Sequence, residues 1–216
     1  GVHSHIAHIE AVLKLAKMRG LQKVVVHCFM DGRDVPPTSG LSFVQTLEAY
    51  LTRLDLGKIG VVSGRYYAMD RDKRWDRVQL AYDALTLGSG RKAASAEAAV
   101  QAAYDAGETD EFIKPTLCCG SDSTAGDAAP KTLRAESKQP SIQAAADKSG
   151  ISPNFAPANA AETAEERAAA ALTVQDGDSI IFCNFRPDRA RELTRAFVDP
   201  DFDGFSRRKQ IKNLTY

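Results

Sequence analysis

The run Val24-Val25-Val26-His27-Cys28-Phe29-Met30 is apolar at almost every position rather than at every second one. A strand with one wet face alternates, so an unbroken run rich in β-branched residues marks a strand covered on both sides. Residues 58–63 and 179–185 read as two further strands of this kind. Helical patterns separate them. Ile6, Ile9, Leu13 and Ala16 repeat at helical spacing over residues 5–19. Val44, Leu47, Leu51 and Leu54 do so after Ser39, a candidate cap, and Trp75, Val78, Tyr82 and Leu85 mark a third helix. Residues 96–104 add a fourth, and Pro187 is placed to open a last one running to about Val198. Strands alternating with helices predict an α/β fold, a three-layer α/β/α arrangement around a mostly parallel sheet.

In such sheets ligands gather beyond the carboxyl ends of the strands. A polar cluster follows each predicted strand: Asp31-Gly-Arg33-Asp34, then Ser63-Gly-Arg65 through Arg77, then Asn184-Phe-Arg186-Pro-Asp188-Arg189. Arginine presents a planar fork of donors that matches carboxylate and phosphate oxygens two at a time. Several such forks meeting in one crevice would hold a small polyanion. Gly32 and Gly64, each just before an arginine, would let backbone N–H groups approach that ligand. The alternative is plain. Asp and Arg interleaved at helical spacing, as in 72–77 and 188–192, also describe a solvated helix face. That is the reading for Arg74, Arg77, Arg191 and Arg195. For Arg33, Arg65, Arg71, Arg186 and Arg189 position after a strand weighs equally on the side of a site.

Charge excludes some functions. Twenty-eight Lys and Arg balance twenty-eight Asp and Glu. No whole-molecule field draws nucleic acid or an anionic membrane, and no apolar run approaches the ~18 residues of a membrane span. Four cysteines without knuckle or CxxC spacing read as reduced thiols of a cytoplasmic protein. His27, inside a strand, reads as a satisfied core residue. His3, His5 and His8 could suggest metal, but no set of carboxylate and thiolate partners accompanies them, and His5 and His8 read as imidazoles on a polar helix face, so no metal set is expected. Residues 120–172 hold sixteen alanines in fifty-three positions and read as an irregular insert with a short helix near 161–172. There is no internal repeat. The abrupt start at Gly1-Val2-His3 and the alternation just beginning at Asn213-Leu214-Thr215-Tyr216 suggest one domain cut from a longer polypeptide.

The strings VHSHI at 2–6, DGRDVPP at 31–37, SGRYYAMDRDKRWDRV at 63–78, YDAL at 82–85, DEF at 110–112 and NFRPDRARELTRAF at 184–197 closely resemble cofactor-independent phosphoglycerate mutase. The resemblance spans nearly the whole chain except the insert. It implies a two-domain enzyme of which residues 1–216 are the substrate-binding domain. The catalytic domain, with its nucleophilic serine and two divalent metal ions, usually manganese, would lie outside this chain, which itself would bind no metal. Carried over by motif, the substrate-binding residues fall on His3, Arg33, Asp34, Arg65, Arg71, Arg186 and Arg189, with Asp34 as general acid or base. The implied reaction interconverts 3-phosphoglycerate and 2-phosphoglycerate in glycolysis and gluconeogenesis through a phosphoserine on the missing domain. The implied partners are the phosphoglycerate substrate and that domain. A stand-alone module that senses a phosphorylated metabolite is the competing reading.

Overall fold

Helix α1 (Ile6–Met18) leads into the first apolar run, strand β1 (Val25–Met30), in a computed structural model that describes residues 2–120 and 164–216. Helix α2 (Gly40–Leu54) then crosses back to strand β2 (Lys58–Gly64), which pairs parallel with β1. The one-turn helix α3 (Arg65–Ala68) and helix α4 (Trp75–Leu87) follow. Strand β3 (Arg91–Ala93), helix α5 (Ala96–Asp105), a 3-10 turn (Asp110–Phe112) and strand β4 (Thr116–Cys118) complete the first stretch. Helices α6 (Ala164–Ala170) and α7 (Pro187–Val198) belong to the second.

The strand order is β1-β2-β4-β3. β4 runs antiparallel to β2 and parallel to β3, so the sheet is mixed, with two of its three pairings parallel. One core lies where α1, α2 and α5 pack Leu13, Val44, Leu47, Leu51 and Val100 against Ile59 and Val62. The other lies where α4 and α7 pack Val78, Tyr82, Leu85, Leu193 and Phe197 against Val61 and Leu117. The three-layer α/β/α architecture read from the sequence is therefore present.

Ile59 and Val61 would share a face in a regular strand, yet they serve opposite cores. The register accounts for this: Val26 faces Ile59 and His27 faces Val61, leaving Gly60 unpaired in a bulge. A Cβ at Gly60 would lie 2.6 Å from the carbonyl oxygen of Leu172, so the bulge admits only glycine.

Three expectations change. Residues 179–185 are not a strand of the sheet. Ser179 makes a single bridge to Thr215, and Ile180 N–H donates to the Thr215 carbonyl at 2.7 Å. Ile180 and Phe182 pack on the second core, Phe182 edge-on to Phe29, while Ile181 and Phe185 are exposed. An extended segment laid along a core shows the same apolar pattern as a ladder strand, because the pattern reports burial and not pairing. Second, Ser39 does not cap α2 with its side chain; Asp110 does so from a distance, its Oδ2 accepting the Gly40 N–H at 2.8 Å. Third, His27 is not satisfied: its Nδ1 is buried without a partner, and burial pushes the ring down to about 4. The insert falls mostly outside the described residues, and α6 lies where a short helix was expected. All four cysteines are free.

Candidate functional site

Parallel strands finish on one edge, and this brings the first two polar clusters together. At the end of β1, Asp31 Oδ1 accepts the backbone N–H groups of Arg33 at 3.2 Å and Asp34 at 3.1 Å. This side-chain turn fixes the loop. At the end of β2, Arg65 is 3% exposed, and its Nη1 binds Asp31 Oδ1 at 2.6 Å and Asp34 Oδ2 at 2.7 Å. Burial works against the Asp31 carboxylate, but the N–H of Asp34 and the guanidinium of Arg65 outweigh it and hold Asp31 below the usual range. His3 Nδ1 stands 3.7 Å from Asp34 Oδ2. Burial, reinforced by Arg65, pushes His3 down against the pull of Asp31 and Asp34, which favours the neutral ring. The His3 carbonyl accepts the Phe185 N–H at 2.8 Å, tying the third cluster to the first.

That third cluster sits at the N-terminus of α7. Pro187 occupies its first turn, as expected, and Arg186 precedes it without a side-chain capping bond. Asp188 joins two arginines: Oδ1 accepts from Arg186 Nε at 2.8 Å, and Oδ2 from Arg71 Nη1 at 3.2 Å. The Arg186 bond, followed by that of Arg71, lowers Asp188 to about 2. Arg189 is buried and donates from Nη1 to the Met69 carbonyl at 3.0 Å. Burial lowers its pKa, and the charges of Arg65, Arg71 and Arg33 lower it further. A guanidinium faced by three others marks a place that an anion would stabilise.

The place is a concave pocket of about 160 Å³ lined by Arg33, Arg65, Arg71, Arg77 and Arg189, with Tyr66, Asp70, Asp72 and Glu111. It is smaller than the roughly 300–1,000 Å³ of sites for drug-sized ligands, which suits a small metabolite. Of the seven residues singled out in the sequence, Arg33, Arg65, Arg71 and Arg189 line it. Asp34 meets it through Arg65, His3 through Asp34, and Arg186 through Asp188 and Arg71.

Several sequence expectations give way here. Arg186 and Arg189 are brought in by the start of a helix and not by a strand end. Gly32 and Gly64 make room for the 3-10 turn: a Cβ on Gly32 would lie 2.7 Å from the Glu111 nitrogen, and one on Gly64 would run into the Glu111 carbonyl. Arg77 is not on a solvated face. Its side chain is 19% exposed, stacks over the Tyr66 ring at 3.8 Å and reaches Asp70 Oδ2 at 3.4 Å. Asp31, Asp70, Asp110 and Asp188 carry no role in the sequence reading, because each has a partner far along the chain that spacing does not show: Arg65, Glu192, Gly40 and Arg71.

His3, Asp31 and Asp34 also offer three ligand atoms within 4.8 Å of one another, a grouping that spacing along the chain did not show. The Arg65 guanidinium already lies between both carboxylates. The group is matched to that cation and does not fit a resident divalent ion.

The family described as "BPG-independent PGAM N-terminus" matches residues 1–132 and 125–216. The chain is 44% identical over 214 residues to a 2,3-bisphosphoglycerate-independent phosphoglycerate mutase of Clostridium perfringens, covering 99% of this chain and 33% of that protein. It is 46% identical over 213 residues to 2,3-bisphosphoglycerate-independent phosphoglycerate mutase 2 of Methanosarcina acetivorans, covering 98% and 32%. Leishmania mexicana phosphoglycerate mutase, crystallised at low cobalt concentration, is similar in structure: TM-score 0.73 at 27% identity, over 100% of this chain and 32% of that one. The chain thus spans about a third of the length of the relatives it matches.

Proposed function

The chain belongs to the BPG-independent PGAM N-terminus family, and from that premise we propose that residues 1–216 are the substrate-binding domain of a phosphoglycerate mutase. The reaction is the interconversion of 3-phosphoglycerate and 2-phosphoglycerate, a step of glycolysis and gluconeogenesis in the cytoplasm. One observation carries the reading: Arg33, Arg65, Arg71 and the buried Arg189 line one small pocket, a charge arrangement that calls for an anion.

Arg33, Arg65, Arg71 and Arg189 grip the carboxylate or phosphate of the ligand, and Arg186 steadies Arg71 through Asp188. Holding the glycerate in place turns the return transfer into an intramolecular event. Asp34, beside Arg65 and His3, serves as general acid or base at a glycerate hydroxyl. Among the described residues the pocket lining holds no serine, threonine or cysteine; in this reading the phosphoserine forms on the part of the longer relatives that this chain does not span. Two divalent ions, manganese being the expected metal, would neutralise phosphoryl charge there. Among the described residues no helix is long and apolar enough to cross a membrane, and zero net charge argues against a nucleic-acid partner.

Titration calorimetry of the protein with 3-phosphoglycerate, glycerate and inorganic phosphate tests the reading. Tighter binding of phosphoglycerate than of either fragment, weakened at least tenfold by Arg189→Ala, is expected. Equal binding of phosphoglycerate and free phosphate would leave only a general anion site.

A further inference from the structure

Two buried carboxyl groups, one of them in the pocket lining, have no part in the grip just described. Asp70, 5% exposed, follows α3; its Oδ1 accepts the N–H groups of Asp72 at 2.9 Å and Arg74 at 3.0 Å. Glu192, 7% exposed, lies on α7 one turn after Asp188 and Arg189. The spacing 188–192 suggested a solvated face, and the structure buries this end of it. Glu192 Oε1 accepts the Lys73 N–H at 2.9 Å. Lys73 sits at φ 57°, a left-handed conformation costly for any residue but glycine. Glu192 Oε2 is buried with no donor to accept from.

That last oxygen is the anomaly. A buried bare carboxylate oxygen is expensive, and Glu192 is also in side-chain contact with another acid, Asp70. The two clasp neighbouring amides of one loop, Glu192 that of Lys73 and Asp70 those of Asp72 and Arg74. Two ionised carboxylates have no proton to place between them, and one proton converts the repulsion into an O–H···O bond. Of the charged groups that face the pair, Asp72 on the loop adds negative charge, Arg77 from α4 offsets it through Asp70, and Arg189 stands one turn back on α7.

We infer that Asp70 and Glu192 share one proton across the seam between the 69–74 loop and α7, and that this pair positions Arg71 and Arg189 for the anion. The inference rests on the proposed function for what the arginines bind. Its geometric basis is the density of ties around Arg71. The Met69 carbonyl is held by Arg189, the Asp72 and Arg74 N–H groups by Asp70, and the Lys73 N–H by Glu192. Arg71 is thus carried on a loop pinned on both sides. The two carboxyls are positioning residues: they act on the ligand through the arginines.

The burial of Glu192 lifts its carboxyl above the usual range, and contact with Asp70 lifts it further. The experiment compares Glu192→Gln with Glu192→Ala. Glutamine keeps an acceptor for Lys73 and supplies a fixed donor to Asp70, so it stands in for the protonated acid. Calorimetry with 3-phosphoglycerate is expected to give affinity within about twofold of wild type for Glu192→Gln and at least tenfold weaker for Glu192→Ala. Amide exchange at Lys73 is expected to be slow in wild type and Glu192→Gln and fast in Glu192→Ala. Equal losses in both variants would overturn the inference. Carboxyl-carbon NMR of the wild-type protein needs no variant to fold: the Glu192 carboxyl should titrate above the ordinary acid range. A Glu192 titration within that range would overturn the inference as well. If wild type fails to bind 3-phosphoglycerate, the functional reading falls, while the exchange and NMR results still decide on the carboxyl pair.

Discussion

Arg65 holds two carboxylates with one nitrogen, and at 3% exposure no water replaces it. Arg65→Ala leaves Asp31 and Asp34 facing each other unpaired and removes a cation from the pocket. Phosphoglycerate binding should weaken by about 2–5 kcal/mol, the cost of truncating one partner of a buried charge pair. Arg74, about half exposed and paired with Asp76, is the comparison: Arg74→Ala should cost no more than ~1 kcal/mol. Calorimetry of the two variants side by side checks this, and similar losses would reject it. His27 yields a prediction about pH. Its ring is held at about 4, against 6.5 for a free histidine, so folding excludes a proton that the unfolded chain binds. Its contribution is complete above pH 6.5 and is lost as pH falls from 6.5 towards 4, at up to ~1.4 kcal/mol per pH unit. Urea midpoints at pH 7 and pH 5 should fall further for wild type than for His27→Leu. Identical falls would show that the ring takes up its proton without cost. At this scale the sequence offered the arginines as candidates. It did not separate Arg77, which enters the pocket, from Arg74, which does not.

Among the elements, the 3-10 turn Asp110–Phe112 does more than its three residues suggest. Asp110 Oδ2 caps α2, its N–H donates to the Pro37 carbonyl at 2.8 Å, and the Ile113 carbonyl accepts the Gly64 N–H at 2.7 Å. The turn therefore braces the loop that carries Arg33 and the end of β2, directly before Arg65. Gly64→Ala would drive a methyl group into the Glu111 carbonyl, where backbone on both sides resists movement. A stability loss of about 1–3 kcal/mol is expected from such overpacking, with weaker phosphoglycerate binding because Arg65 is the next residue. Thermal unfolding and calorimetry on one sample measure both, and an unchanged melting temperature would refute the bracing role. Helices α1, α2 and α4 are legible in the sequence because each carries an apolar stripe at helical spacing, and the start of α7 because Pro187 suits a first helical position. β3 and β4 are not. At three residues apiece, Arg91–Ala93 and Thr116–Cys118 are too short for a period to register.

For the whole molecule, the chain is expected to fold on its own and to show no mutase turnover with any divalent metal. Two separate apolar cores, one on each side of the sheet, support the folding. Chemistry argues for the inactivity, because among the described residues the pocket offers guanidinium groups that hold an anion and no hydroxyl nucleophile of the serine kind to take its phosphoryl group. A coupled enolase assay with 3-phosphoglycerate and manganese decides, and turnover above a mock-purified control would overturn this division of labour. Sequence by itself determined the layers. The unbroken apolar run through β1 required cover on both faces, and the helical stripes supplied it, since burial pattern is a property of the residues themselves. Motifs also named Arg33, Arg65, Arg71 and Arg189. Tertiary structure alone decided which extended segments pair, sending 179–185 along the second core while β4 joined β2. It alone set Asp188 between Arg71 and Arg186, and Glu192 beside Asp70. Hydrogen bonds and charge pairs depend on distance in space, and residues 117 or 122 positions apart acquire a distance only when the chain has closed.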